Sequence, residues 1–111
     1  MRVAQSLGEF EQVVLLAILR LCDNAYGVTI AAEISACTQR EPAPGALYTT
    51  LDRLEDKGLV SSRLGDPTPQ RGGRAKRYFA LSAKGLAAIT RAQQSYRRLL
   101  EGCVLPGVTH A

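Results

Sequence analysis

Hydrophobic positions recur along this chain with periods that change from block to block. Between Glu9 and Cys22, Phe10, Val13, Val14, Ala17, Ile18 and Leu21 fall at helical spacing, which predicts a first helix. Leu15, Leu16 and Leu19 occupy its opposite side. A helix that is apolar nearly all round must be covered on both faces. One face can pack on its own domain, and the other asks for a second subunit. Asp23–Asn24 breaks this helix, and Tyr26–Gly27 opens a second one running to about Cys37. Ile30, Ile34 and Cys37 are placed inward on it, Ala31 fills a close contact, and Glu33 and Gln39 face water. Pro42 and Pro44 mark a turn over 38–45 and the start of a third helix from about Pro44 to Lys57. Leu47, Leu51 and Leu54 form its apolar stripe, while Tyr48, Thr49, Thr50, Arg53 and Lys57 form its polar face, and Gly58 stops it.

The period then shortens. Residues 59–64 alternate in part and predict a strand, and Arg77–Tyr78–Phe79–Ala80–Leu81 predicts a second one centred on two β-prone aromatics. Between them Pro67, Pro69, Gly72 and Gly73 require a loop, so the two strands form a hairpin with a long tip. Ser82 caps a fourth helix from Ala83 to about Gly102. On it Leu86, Ile89, Gln93, Tyr96, Leu100 and Cys103 succeed one another at alternating steps of three and four. This is the seam spacing of a short coiled coil, with Gln93 as the polar member that sets register across a two-fold axis. A small domain is already complete by residue 81, so the seam is assigned to a partner helix.

Charge adds direction to this outline. The chain of 111 residues carries a net charge of +4, but residues 1–41 are at −2, residues 42–58 at −1, residues 59–81 at +4 and the remainder at +3. The densest cluster, Gln70–Arg71–Gly72–Gly73–Arg74–Ala75–Lys76–Arg77, lies at the hairpin tip. Mobile cations on a glycine-containing loop suit a polyanion backbone. The longest apolar run, Val13–Leu19, is seven residues, too short to cross a bilayer. Glu9 and Glu11 interrupt any signal-peptide core, so a cytoplasmic setting is expected. Cys22, Cys37 and Cys103 are odd in number and lack a CxxC, which argues against a disulfide framework or zinc site. Cys22 and Cys37 are expected as small buried hydrophobes, whereas Cys103 near the seam end is the one placed to pair with a symmetry mate. His110, the one histidine, stands in the tail, and no paired carboxylates or phosphate-cradling glycine motif appears. Neither catalysis nor a cofactor or metal is expected.

Three helices followed by a two-stranded hairpin give a mainly α fold, a winged helix-turn-helix with a C-terminal dimerisation helix. In that arrangement the third helix is free to enter a DNA major groove, through Pro44, Gly45, Tyr48, Thr49, Thr50 and Arg53. Asp52, Glu55 and Asp56 are expected to turn away from the DNA. Arg71, Gly72, Gly73, Arg74, Lys76 and Arg77 are the wing residues for phosphate contact. Residues 1–81 make the DNA-binding domain, 82–103 the dimerisation helix and 104–111 a tail. A winged helix used only for protein contacts is the alternative, and it has no need of the basic wing.

Leu7–Gly8–Glu9–Phe10–Glu11–Gln12, Ala25–Tyr26–Gly27, the run from Gly45 to Glu55, Gly58–Leu59–Val60 and the run from Gly72 to Gly85 together resemble the PadR family of bacterial transcriptional regulators. The resemblance spans about residues 7–90. It implies a winged-helix homodimer on an inverted repeat, usually a repressor, sometimes released by a small aromatic or cationic effector. It also implies a C-terminal helix packed on the partner's N-terminal helix, which agrees with Leu15, Leu16 and Leu19 opposite the seam. The tyrosine of the Gly-x-Leu-Tyr block, here Tyr48, is implied near the DNA backbone. The chain has no tryptophan, so the drug-stacking residue of the multidrug-binding branch is missing. The single helix after the wing resembles the short branch of the family.

Overall fold

The computed structural model describes residues 7–65 and 75–103. Helix α1 (Glu9–Leu21) is followed by one turn of 3-10 helix (Cys22–Asn24), then α2 (Gly27–Thr38), α3 (Pro44–Asp56), strands β1 (Val60–Leu64) and β2 (Arg77–Leu81), and α4 (Ala83–Leu100). Arg71, Gly72, Gly73, Arg74 and the 104–111 tail lie outside the described residues.

Helix α1 begins where the Glu11 carboxylate accepts the Gly8 N–H (2.9 Å), filling an orphan donor of the first turn. It is the central element and packs against α2, α3, β2 and α4. Leu15 is therefore fully enclosed by its own chain. This corrects its assignment to a subunit interface: four neighbouring elements cover both sides of the helix. Leu16 packs half-buried against the same core, and Leu19 remains about half exposed. Ile30 and Ile34 of α2 and Leu47, Leu51 and Leu54 of α3 complete the trihelical core.

Cys22 and Cys37 are exposed, contrary to expectation. Cys22 stands just past the end of α1, where the chain reverses at φ 54. The last turn of α2 overhangs the core, so Ala36, Cys37 and Thr38 all face solvent.

The hairpin pairs antiparallel, with Val60 opposite Leu81 and Leu64 opposite Arg77. It is stitched to the helices on its other edge: Phe79 N–H donates to the Ala25 carbonyl (2.8 Å), and Tyr26 and Tyr78 form an isolated bridge. Leu59, Val60 and Phe79 fill the gap beside α3. Helix α4 then starts against the end of α3. Ser82 Oγ accepts the Gly85 N–H (3.0 Å) and donates to the Gly58 carbonyl (2.6 Å), while Lys84 Nζ donates to the Lys57 carbonyl (3.0 Å). At Gly85 a Cβ would overlap the carbonyl of Leu59, so only glycine lets α4 approach this closely. Ile89 anchors the helix in the core, and every residue from Gln94 to Leu100 is exposed. No helix among the described residues is long and apolar enough to cross a membrane.

Candidate nucleic-acid interface

Helix α3 starts with Pro44 at its first position, where a missing N–H costs nothing. Leu47, Thr50, Leu51 and Leu54 are buried. Thr50, at 6% exposure, is thus a core residue and not part of the polar face assigned to it. Its spacing explains the correction, because residues 47, 50, 51 and 54 form one stripe at steps of three and four. The outward arc is Pro44, Gly45, Tyr48, Thr49, Asp52, Arg53 and Asp56, all exposed. Of the three acids expected to turn away from the DNA, Glu55 is drawn to the hairpin by Arg77 and Ser62. Asp52 and Asp56 share the exposed side with Thr49, one and two turns further along. The first turn of α3 carries no acid.

Tyr48 is half exposed. Its hydroxyl rests on Gly27, where an added Cβ would collide with it. The start of α2 therefore props the ring at the edge of the α3 surface. Lys57 points back into the molecule, and its Nζ lies 2.8 Å from Glu11 Oε2. Burial alone would raise the Glu11 carboxyl. Hydrogen bonds from Lys57 and Gly8, with the charges of Lys57 and Arg53, outweigh that and hold it below the usual glutamate value. On the next residue, Gln12 Nε2 donates to Tyr96 Oη (3.0 Å) and to the Leu7 carbonyl (3.3 Å). Two adjacent buried polar residues of α1 thus tie it to α3 and to α4.

On the hairpin, Arg77 is engaged internally: its Nη2 lies 2.8 Å from Glu55 Oε1 and its Nε donates to Ser62 Oγ (3.0 Å). Lys76 sits over the Tyr26 ring, 4.6 Å from its centroid, and Arg63 over the Tyr78 ring at 4.8 Å. Tyr26 and Tyr78 meet edge to face at 5.3 Å.

The seam of α4 divides in two. Ile89 is enclosed by its own chain and cannot face a partner, because it fills the core where α4 crosses α1. Leu86, Tyr96 and Leu100 are each about half exposed, Gln93 is half-buried and Cys103 is exposed. Leu86 and Leu19 lie together beside a groove of about 340 Å³ between the end of α1 and the start of α4.

Residues 15–91 match the family model of the transcriptional regulator PadR-like family. The chain belongs to this family. Transcriptional regulator Rv3488 of Mycobacterium tuberculosis is 36% identical to it over 109 residues, 94% of each chain. A PadR family transcription regulator from Clostridium difficile R20291 superposes with a TM-score of 0.68 at 24% identity, covering 83% of this chain and 92% of that one. A PadR-like transcription factor from Bacteroides fragilis gives 0.69 at 24% identity, over 84% of each. Four helices and an antiparallel two-stranded wing are thus the winged-helix arrangement of PadR structures.

Five residues that shape the candidate interface carry no plain mark of that role in the sequence. Glu11 had a signal: it precedes Val14, Leu15 and Ile18 at steps of three and four, so it had to be buried and to find a cation. Its partner Lys57 is 46 positions away and carries no such mark. Gln12 and the Tyr26–Tyr78 pair depend on packing between distant elements, which periodicity does not reveal.

Proposed function

We propose that this PadR-like regulator binds double-stranded DNA as a homodimer in the cytoplasm and represses transcription from an inverted-repeat operator. In this reading the 1–81 unit meets the DNA, and α4, within 82–103, makes the dimer. The observation that carries it is the outward arc of α3, which offers Tyr48, Thr49 and Arg53 with no acid in the first turn. It stands beside a hairpin segment whose charge is +4 over residues 59–81. Gly45, Thr49 and Arg53 approach base edges, and Tyr48 the backbone. Arg71, Arg74 and Lys76 supply phosphate contacts around Gly72 and Gly73, and Arg77, held by Glu55, contributes less.

Dimerisation uses Leu16, Leu19, Leu86, Gln93, Tyr96, Leu100 and Cys103. The half of α4 that leaves the body exposes Tyr96, Leu99 and Leu100, more apolar surface than a lone helix end keeps in water without reason. A two-fold dimer demands half-sites related by the same symmetry. Relief of repression by a small effector is the part of the reading that rests on the family alone.

Selection from a random duplex library tests it. The expected product is an inverted repeat with half-sites about one helical turn apart, or a multiple of that. Enrichment of nothing, or of a motif without two-fold symmetry, overturns the reading. Thr49→Ala or Arg53→Ala should shift the selected bases.

A further inference from the structure

We propose that Arg63 is a DNA-backbone contact, mounted with Lys76 on a cation–aromatic stack that forms a second phosphate-binding band beside α3. The inference rests on the DNA-binding reading above and adds a site to it.

The stack runs Arg63, Tyr78, Tyr26, Lys76. The guanidinium of Arg63 lies 4.8 Å from the Tyr78 centroid, the two rings meet at 5.3 Å and 65°, and Lys76 Nζ lies 4.6 Å from the Tyr26 centroid. Lys76 Nζ also reaches Tyr26 Oη at 3.5 Å. Arg63 and Tyr78 are register partners on β1 and β2, and Tyr78 bridges to Tyr26 on the other edge. Arg63 stands on β1 and Lys76 immediately before β2, where its carbonyl accepts the Gly65 N–H (2.7 Å), both on the face of the hairpin opposite buried Val60 and Phe79.

How these cations are held distinguishes them. Among the described residues the ion pairs are Arg20–Glu33, Arg40–Glu9, Lys57–Glu11 and Arg77–Glu55. Arg63 and Lys76 are in none of them. Asp23 shares a pocket of about 120 Å³ with Arg63 but makes no ion pair with it. An acid would fix a cation by cancelling its charge. An aromatic face fixes it through the ring quadrupole and leaves the full charge for a partner. Two exposed, oriented cations with no ion-pair partner among the described residues are what an anionic polymer recognises.

Position selects the polymer. Tyr26 immediately precedes Gly27, on which the Tyr48 hydroxyl rests. The band therefore begins at the edge of the outward arc of α3, beside Tyr48. A duplex with α3 in its major groove brings a phosphate strand along that edge. An acidic protein surface would satisfy the charges but has no reason to be continuous with α3.

Anisotropy titrations of the full chain over a salt series test the proposal, using the selected duplex and a scrambled one. Arg63→Gln should weaken binding to both by the same factor. It should also flatten the slope of log affinity against log salt by about 0.9 per arginine removed, equivalent to about 3.5-fold in affinity over a fourfold change in salt. Tyr78→Phe, which keeps the ring face, should bind as wild type. Tyr78→Leu should lose what Arg63→Gln loses, and the double variant should lose no more. Arg63 is exposed, so its substitution reads binding without risk to the fold, and circular dichroism checks the tyrosine variants. Wild-type affinity and slope in Arg63→Gln, while wild type itself binds DNA, overturn this proposal alone. If wild type binds no duplex even at low salt, the DNA-binding reading fails and this site falls with it.

Discussion

Gly85 and Gly27 are both glycines that a Cβ would crowd, but the obstacles differ. At Gly85 the obstacle is the backbone carbonyl of Leu59, which is held in place by the Ser82 N–H at 3.0 Å. Gly85→Ala should therefore destabilise the protein by about 2–4 kcal/mol, read by denaturant melts. At Gly27 the obstacle is the free end of the Tyr48 side chain. Gly27→Ala should cost less than about 1 kcal/mol of stability and show its effect in DNA affinity, as Tyr48 swings aside. Equal losses of stability would contradict this distinction.

The Glu11 carboxyl has a depressed pKa in the folded state. Its contribution to stability is therefore complete above the ordinary glutamate value, about 4.3, and is lost as pH falls from there through the lowered folded value. Glu11→Gln should cost about 1–3 kcal/mol at neutral pH, since Lys57 loses its partner. The gap between wild type and variant should begin to narrow as pH falls below about 4. A gap that stays constant from pH 7 to pH 3 would show that the pair contributes through packing and not through charge. At this scale the sequence was readable where a residue's own spacing decides its fate and opaque where a distant partner does. Thr50 is polar, yet its position between Leu47 and Leu54 decides its burial. Cys37 continues the apolar stripe of α2 but is exposed, because a helical stripe does not show where the core beneath it ends.

At the scale of elements, periodicity was a close guide. Strand β2 has the bounds expected of it, and α2, α3 and α4 end within two residues of expectation. The single 3-10 turn at Cys22–Asn24 escaped, being too short to carry a period. What the pattern could not show was the stitching of β2 to Ala25 and Tyr26, because that pairing joins a strand to a two-residue bend. This bridge fixes the hairpin against α2 and sorts its cations. Arg77 faces α3 and is held by Glu55, an exposed pair worth at most about 1 kcal/mol, whereas Lys76 faces outward over Tyr26. Lys76→Gln should therefore flatten the salt dependence of DNA binding by about 0.9, and Arg77→Gln by clearly less. Equal changes would mean that Arg77 leaves Glu55 for the DNA.

For the molecule as a whole, the winged-helix order was legible because each element is marked by its own period and the basic segment falls at the tip. Subunit contacts were less so. An over-apolar α1 suggested a partner, but most of that surface is covered by the chain's own α4 and β2, leaving Leu16, Leu19 and the free half of α4. The pairs Glu11–Lys57 and Gln12–Tyr96, each with its α1 member buried, connect the end of α3 to α4 through two consecutive residues of α1. The helix proposed to read DNA and the helix proposed to dimerise are thus fixed to one support, which suits a regulator that must hold two recognition helices at a set spacing.

That spacing is the central claim, and titration with the selected duplex tests it most directly. Anisotropy of the labelled duplex, measured beside a scrambled control of equal length, should show preferential binding that saturates at two chains per duplex. Moving the half-sites apart by half a helical turn should abolish the preference. Saturation at one chain, or binding indifferent to sequence and spacing, would contradict a two-fold dimer that reads DNA through α3.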